Sequence, residues 1–179
     1  MISTPAKTPR RKGSSRISQI PPEILRDLNR GRIETVTLVE WLAIDMPTLI
    51  GHAAKDRGLA ADRARLVKKA KSIADLGISK RMNSMGAFLH ESLSGKPKRE
   101  RGKIFNALDA HPSDMVRAWA AYSVTADGTL DLAERLDIAR RFAADSNMST
   151  RECAWDSYRG YLSAELDRGL DLLAPWVID

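Results

Sequence analysis

The amino-acid sequence predicts an all-α protein in which pairs of helices stack into an α-solenoid. Three observations predict this fold class. No segment alternates apolar and polar residues as a half-buried strand does, whereas apolar residues recur at helical spacing almost throughout the 179 residues. A chain that is 43% hydrophobic and 29% charged is typical of a globular protein. The last third of the sequence repeats itself, and each copy has the length of a two-helix repeat.

Helix signals follow one another as far as residue 110. Pro21 and Pro22 open a short helix that extends to Leu28, since proline is tolerated in a first helical turn. A second helix starts near Leu38, and Pro47 is expected to kink or split it. Three more apolar stripes predict further helices: Leu66, Val67, Ala70, Ile73 and Ala74; Met82, Met85, Leu89 and Leu93; and Ile104, Phe105 and Leu108.

The last third of the chain contains two copies of a helix pair. The shift that places Arg117 on Arg151 also places Ala120 on Ala154, in the first helix of each unit. The same shift matches five further positions: Leu132 with Leu166, Leu136 with Leu170, Ile138 with Leu172, Phe142 with Trp176, and Asp145 with Asp179. Repetition of a two-helix unit is the signature of an α-solenoid. The helix pairs before residue 110 can be divergent units of the same kind.

Composition excludes several classes of protein. The one cysteine, Cys153, has no internal partner for a disulfide, which favours a reducing environment. The three histidines are far apart in sequence, so no zinc-like spacing occurs. No apolar stretch is long enough for a membrane span, and the basic N-terminus lacks the apolar core of a secretion signal. We therefore expect a cytoplasmic protein with no bound metal.

The net charge of +6 is concentrated in two short segments. Residues 1–16 hold five cations and no acid, so residues 1–18 are predicted to form a disordered basic tail ahead of a helical domain over 19–179. The tail is either solvated or an arm that contacts phosphates. The second segment, 94–103, is predicted to be an interhelix loop that leads into a helix. Because it is anchored at both ends, its cations are the better candidates for DNA contacts, the alternative being a solvated loop: Lys96, Lys98, Arg99, Arg101 and Lys103.

Three segments resemble the bacterial DNA alkylation repair proteins. They are LNRGRIETVTLVEWLAID from Leu28, HPSDMVRAWAAYS from His111, and STRECAWDSYRGYL from Ser149 with GLDLLAPW after it. The resemblance covers residues 20–179 and is closer to the AlkC type than to the AlkD type of these alkylpurine-DNA glycosylases. It implies a right-handed α-solenoid of HEAT-like helix pairs whose concave face holds double-stranded DNA. It also implies hydrolysis of the N-glycosidic bond of N3- or N7-alkylated purines, without a metal or an organic cofactor.

This reaction and the resemblance together single out one helix. A carboxylate beside the sugar stabilises an oxocarbenium ion and activates a water. Glu152 is the first candidate for that carboxylate, and Asp156 is the second. Trp155 shares their helix face and is a candidate for contact with the base. Arg151 and Arg159 are candidates for binding backbone phosphates.

These residues also have structural interpretations. Ser149 and Glu152 have the spacing of a capping box, in which Glu152 would only cap its own helix. Asp156 can be a solvated or salt-bridged residue, and Trp155 can be part of the packing between helices.

The same question applies to Arg117, a further candidate for DNA binding. In HEAT-type repeats an aspartate and an arginine at the places of Asp114 and Arg117 often bond between adjacent units, and Arg151 has the equivalent place. A structural ladder is therefore the favoured interpretation of Arg117. The AlkD type has a Trp-Asp catalytic motif, and Trp41 and Asp45 are a tryptophan and an aspartate at close spacing. They lie in an early apolar helix, however, and coincidence is favoured.

The C-terminal part leaves a second function open. Residues 127–179 hold eleven acids and six arginines, whereas a face that grips DNA is expected to be basic. A non-catalytic HEAT-like scaffold that binds protein or DNA is therefore the alternative. The chain also stops at the apolar run 174–178, where the proteins it resembles continue into further repeats. We expect either a shortened chain or an apolar end that packs against a partner, including a second copy of the chain.

Overall fold

All regular structure in the described part of the chain is helical, which confirms the predicted all-α class. The computed structural model describes residues 11–177, and no strand occurs in that range. Ten α-helices occur there: α1 Pro22–Asn29, α2 Leu38–Ala43, α3 Met46–Asp56, α4 Arg63–Ser72, α5 Ile78–Ser94, α6 Lys98–Asp109, α7 Asp114–Thr125, α8 Leu132–Ala143, α9 Met148–Ala164 and α10 Leu166–Leu173. Short 3₁₀ turns lie at Ile17–Gln19, Ala60–Asp62 and Ala174–Val177.

Proline and glycine set the first helix boundaries as the sequence predicts. α1 has Pro22 in its first turn, where the missing N–H costs no hydrogen bond. The helix ends before Gly31, whose φ of +68° favours glycine. The second predicted helix is split into α2 and α3 ahead of Pro47. Asp45 caps α3 by accepting a hydrogen bond from the backbone N–H of Thr48 at 3.0 Å.

The sequence repeat reappears in the helix boundaries. The shift that superposes Arg117 on Arg151 also superposes the first residue of α7 on that of α9, and the first residue of α8 on that of α10. The hydrogen bonds of the first helix repeat as well. Arg117 and Arg151 each donate through Nη1 to the carbonyl oxygens five and six residues before them, at 2.8–3.2 Å. The two predicted helix pairs therefore begin alike, but α9 continues to Ala164 and Glu165 alone separates it from α10, whereas residues 126–131 separate α7 from α8.

The first helix of the repeat, α7, lies at the centre of the fold. It packs against both α5 and α9, and it also contacts α6 and α8. Gly86 allows the close approach of α5, because a Cβ there would lie 2.2 Å from the Cβ of Tyr122. Nearly all of α7 is buried as a result, and Trp119 is completely enclosed. The helices α5, α7 and α9 thus pack side by side in one row, and residues of all three belong to the hydrophobic core.

Residues 31–37, which we call the crossing segment, run past the starts of α7 and α9. The carboxylate of Asp114 accepts hydrogen bonds from the backbone N–H of Thr35, at 3.1 Å, and from its hydroxyl. The side-chain amide of Asn147 donates to the carbonyl oxygen of Thr35 at 2.8 Å. Glu34 forms an ion pair with Arg117 at 3.0 Å. The first helices of both repeat units are therefore tied to the same N-terminal segment.

The chain contacts the fold earlier than the predicted end of the basic tail. Residues 1–10 of that tail lie outside the described residues. Arg11 forms hydrogen bonds of 2.5 and 2.8 Å with the two carboxylate oxygens of Glu40, which is buried. The backbone N–H of Ser14 donates to the same carboxylate at 3.1 Å. Arg11 and Ser14 are therefore bonded to the helical domain, whereas the sequence predicts a disordered tail over residues 1–18.

The basic segment 94–103 is mostly helical, which corrects the predicted loop. α6 begins at Lys98, so residues 95–97 alone connect it to α5. Pro97 directly precedes the helix, a position at which its missing N–H is harmless. Lys96 is therefore the one predicted DNA contact in the linker, and the other four lie on α6.

Candidate functional site

A pocket of about 180 Å³ lies where α2, α5, α7 and α9 meet, and we call it the Glu152 pocket. It brings together the two residues predicted to be catalytic, since Glu152 and Asp156 are one turn apart on α9 and both line it. Its other lining residues come from several distant parts of the chain: Leu38, Trp41, Ile78, Ser79, Met82, Tyr122, Ser149 and Cys153.

Asp156 is held in one orientation by three neighbouring donors. Its Oδ2 accepts hydrogen bonds from the hydroxyl of Ser79 at 2.6 Å and from the hydroxyl of Tyr122 at 2.5 Å. Its Oδ1 lies 3.1 Å from Nη2 of Arg159. Because these donors come from α5, α7 and α9, the carboxylate is fixed where the three helices meet. The salt-bridged interpretation of Asp156 agrees with this geometry, which also places a negative charge at the pocket wall.

Glu152 is exposed to solvent at the same pocket. Its interpretation as part of a capping box is wrong, because α9 begins at Met148 and its N-cap is Asn147. The side chain of Asn147 accepts a hydrogen bond from the backbone N–H of Ser149 at 2.9 Å. Within residues 11–177 the carboxylate of Glu152 has no hydrogen-bond or ion-pair partner, so it is available to a water or a bound molecule.

Two further titratable groups of the pocket stay protonated at neutral pH. Burial raises the pKa of the Tyr122 hydroxyl well above its usual value, and the nearby Cys153 and Asp156 raise it further. Tyr122 is therefore a constant hydrogen-bond donor to Asp156. Burial also raises the pKa of the Cys153 thiol to about 12. Since the thiolate is the reactive form, Cys153 is a packing residue rather than a nucleophile.

A wider cleft of about 960 Å³ adjoins the Glu152 pocket, and we call it the Arg151 cleft. It lies between the crossing segment and the start of α9, and the exposed Leu38 lines both cavities. Arg32 and Arg151 line the cleft together with two acids, Asp27 and Glu34. Cations therefore lie next to the pocket, although the charge of the cleft is mixed.

Trp155 and Arg159 lie on α9 outside the pocket lining. Trp155 is 39% exposed, and its ring centroid is 6.1 Å from that of Trp176. The side chain of Arg159 is 73% exposed. Both side chains are accessible to a large ligand that extends beyond the pocket.

Arg117 and Arg151 differ although they hold equivalent places in the repeat. Arg117 uses all five of its N–H donors inside the protein: Nε and Nη2 bind the two oxygens of Asp145, Nη2 also binds Glu34, and Nη1 binds two carbonyl oxygens. This geometry agrees with the structural ladder rather than with a DNA contact. Within residues 11–177, Arg151 forms hydrogen bonds only through Nη1. Arg151 is therefore the better candidate for a phosphate contact.

The five cations of the segment 94–103 lie outside the lining of the Glu152 pocket. Lys96 lies 3.4 Å from a carboxylate oxygen of Asp62 and 3.4 Å from one of Glu100. The remaining four are on α6, where three are exposed and one is half-buried: Lys98, Arg99, Lys103 and Arg101 respectively.

These cations belong to a longer basic stretch of the chain, which was not predicted from the sequence. Residues 57–103 contain thirteen cations and four acids, a net charge of +9. α4 contributes most of the added charge: Arg63, Arg65, Lys68, Lys69 and Lys71. Arg65 and Lys69 lie over the ring of Phe88, 5.4 and 5.8 Å from its centroid. The run RARLVKKAKS at 63–72 shows this positive charge in the sequence, whereas the helix there is predicted from its apolar positions alone.

The chain matches no family model, no curated protein and no solved structure. In the part of the chain that the structure describes, no three His, Cys, Asp or Glu side chains come together as metal ligands. Over the same residues, none of the helices combines the length and the hydropathy needed to cross a membrane.

Proposed function

We propose that this chain is a DNA-binding helical-repeat protein of the alkylation-repair type, built as a right-handed α-solenoid of HEAT-like helix pairs. Its substrate is double-stranded DNA with N3- or N7-alkylated purines, and its reaction is hydrolysis of the N-glycosidic bond of such a base. The observation that carries the proposal is the Glu152 pocket, in which an exposed carboxylate lies beside one that is fixed by three donors, Asp156.

The alkylated purine is a good leaving group because alkylation at N3 or N7 gives its ring a positive charge. Cleavage of the bond between the base nitrogen and C1′ returns the bonding electrons to the base, which leaves as a neutral molecule. Positive charge then develops on the sugar, and nearby carboxylates stabilise this oxocarbenium ion. A water attacks C1′ and gives a proton to a general base, so that the sugar gains a hydroxyl group.

The two carboxylates suit different parts of this reaction. Three donors hold the carboxylate of Asp156 in one orientation at the pocket wall, where it faces the developing positive charge. Glu152 is exposed and is the general base that accepts the proton of the water. Arg151 and Arg159 lie on the same helix and bind backbone phosphates, and Trp155 contacts the cationic base through its ring.

The test measures release of 3-methyladenine and 7-methylguanine from methylated duplex DNA. Glu152→Gln is expected to lower the rate of release at least a hundredfold, because general-base catalysis contributes about 10²–10⁴-fold. Glu23→Gln is the matched control, since Glu23 is an exposed carboxylate on α1 outside the pocket. Its rate is expected to equal that of the unchanged chain. If the unchanged chain releases neither base above background, the proposed enzyme activity is refuted.

A non-catalytic scaffold is the second candidate function, and the distribution of charge favours it. Residues 127–179, which include α9, hold eleven acids and six arginines, whereas the basic region is at 57–103. A scaffold that binds duplex DNA through α4 and α6 would lose affinity steeply as salt is added, without releasing a base. The assay of base release together with a salt titration of duplex binding therefore separates the two functions.

A further inference from the structure

Six side chains on α9 and α10 are exposed, and we call them the end face. On α9 they follow one another at helical spacing, and on α10 two leucines are one turn apart: Met148, Glu152, Trp155 and Arg159, with Leu166 and Leu170. Met148, Leu166 and Leu170 are each more than half exposed, which is unusual for large apolar side chains.

The equivalent positions one repeat unit earlier are all buried. The shift that returns Arg151 to Arg117 takes the six positions back to Asp114, Ala118, Ala121, Thr125, Leu132 and Leu136, and each of these is at most 3% exposed. The second unit packs on the first in this region, with α9 in contact with both α7 and α8, and the crossing segment binds the carboxylate of Asp114. Tyr158 of α9, for example, packs in one cluster with the two leucines of α8 and donates to the carbonyl oxygen of Leu132 at 3.0 Å. The end face thus corresponds in sequence to the surface of the first unit on which the second unit packs.

We propose that the end face binds a second copy of this chain around a two-fold axis that passes close to Trp155. Around such an axis the two α9 helices run antiparallel, and every contact occurs twice. Glu152 is three residues before Trp155 and Arg159 is four residues after it. Glu152 of each copy therefore faces Arg159 of the other, and two ion pairs flank the pair of tryptophans. Leu166 and Leu170 extend this contact with apolar surface.

The composition of the end face favours a second copy over a further repeat unit packed as α9 packs on α7. Within the chain, α7 offers Ala118, Ala121 and Thr125, whose small side chains let the helices approach closely. The end face instead offers Met, Trp and Arg, which are enriched at interfaces between protein chains. A unit packed in the internal way would bury Glu152, which has no partner among the described residues, and burial of an unpaired charge is costly. Arg159 already pairs with Asp156 at 3.1 Å, and the two-fold arrangement supplies Glu152 with a partner of opposite charge as well.

This inference does not rest on the proposed function, although it concerns some of the same residues. A second copy and a DNA duplex would compete for Glu152, Trp155 and Arg159, so the two bindings exclude each other. Leu170 belongs to the end face but has no role in the proposed catalysis. Base release by Leu170→Asp therefore reports on the proposed function even if the chain does not dimerise.

The test is sedimentation equilibrium of the full chain without DNA, over about 1–200 µM, the range in which a moderate dimer dissociates. The unchanged chain is expected to show a monomer–dimer equilibrium. Glu152→Arg and Arg159→Glu are each expected to raise the dissociation constant at least tenfold, because each places like charges across the axis. The chain with both changes restores opposite charges and is expected to dimerise as the unchanged chain does.

The matched control is Leu76→Asp, which alters an equally apolar, 40% exposed leucine between α4 and α5 and should leave the dimer intact. Leu170→Asp should weaken the dimer at least tenfold. Circular dichroism of each variant checks that the exposed substitutions leave the fold unchanged. A chain that stays monomeric up to about 200 µM overturns the proposal. A dissociation constant that these variants leave unchanged, or one that the paired charge reversal fails to restore, overturns the proposal as well.

Discussion

Replacing Gly86 with alanine tests the crossing of α5 and α7 on which the Glu152 pocket depends. An added Cβ would lie 2.2 Å from the Cβ of Tyr122 and 2.8 Å from its carbonyl carbon. Nonbonded carbon atoms prefer a separation of about 3.5–4.0 Å. Both atoms of Tyr122 are fixed to the body of α7 and cannot rotate away, so the two helices must separate by about an ångström. The same crossing sets the position of the Tyr122 hydroxyl that donates to Asp156.

The expected cost follows from two opposing effects. Overpacking a core costs about 1–3 kcal/mol and occasionally more, and contact with backbone atoms places Gly86→Ala at the upper end. The higher helix propensity of alanine offsets about 1 kcal/mol of that cost, which leaves a net loss of about 2 kcal/mol. Gly160→Ala is the matched control, because a Cβ at Gly160 in α9 would meet no atom within 4 Å. It should stabilise the protein by up to about 1 kcal/mol.

The assay is urea unfolding followed by circular dichroism, which gives the free energy of unfolding of both variants under the same conditions. The two substitutions are expected to differ by about 3 kcal/mol, with opposite signs relative to the unchanged chain. Equal effects, or a stabilising effect of Gly86→Ala, would refute the close crossing of α5 and α7 at this residue.

Two further predictions concern titratable groups. Burial tends to raise the pKa of Glu40, but hydrogen bonds from Arg11 and from backbone N–H groups outweigh it and hold this pKa below its usual value. The stabilisation is therefore present above the usual pKa of glutamate and is lost as the pH falls through the folded-state pKa. Glu40→Gln should cost about 2 kcal/mol near pH 7, and this cost should shrink as the pH is lowered from 6 to 3; a constant cost in urea unfolding would contradict the lowered pKa. The thiol of Cys153, with a pKa of about 12, should react with iodoacetamide at pH 8 at least about a hundredfold more slowly than free cysteine, and urea should abolish this protection; rapid labelling of the native protein would show that the thiol is not buried.

Local signals in the sequence account for most helices and for the repeat. Proline and glycine punctuation places α1 and the break between α2 and α3, and the internal repeat predicts where both C-terminal helix pairs lie. The cap of α9 shows the limit of such signals. Ser149 and Asn147 are both favourable N-cap residues, and Asn147 is also bound to the carbonyl oxygen of Thr35, 112 residues away. No pattern within α9 reveals that contact.

The candidate site was likewise only partly predictable from the sequence. Glu152 and Asp156 could be placed together because a spacing of four residues on a helix puts two side chains on one face. Ser79 and Tyr122, which hold Asp156, lie 77 and 34 residues away from it in the chain. Their position depends on how α5, α7 and α9 align, and tertiary packing sets that alignment. The basic character of α4 was not predicted for another reason. Its cations are visible in the sequence, but the net charge of +9 over residues 57–103 shows only when they are summed with the cations of α6.

The hydrogen bonds of Thr35 affect how the molecule loses its structure. In repeat proteins whose units contact only their neighbours, unfolding can start at one end and proceed unit by unit. Here Thr35 is bonded to Asp114 and Asn147, which are 79 and 112 residues further along the chain. If the crossing segment detaches, Asp114 loses both hydrogen bonds from Thr35, at a cost of about 1 kcal/mol each. We therefore expect the crossing segment to unfold together with the starts of α7 and α9 rather than before them.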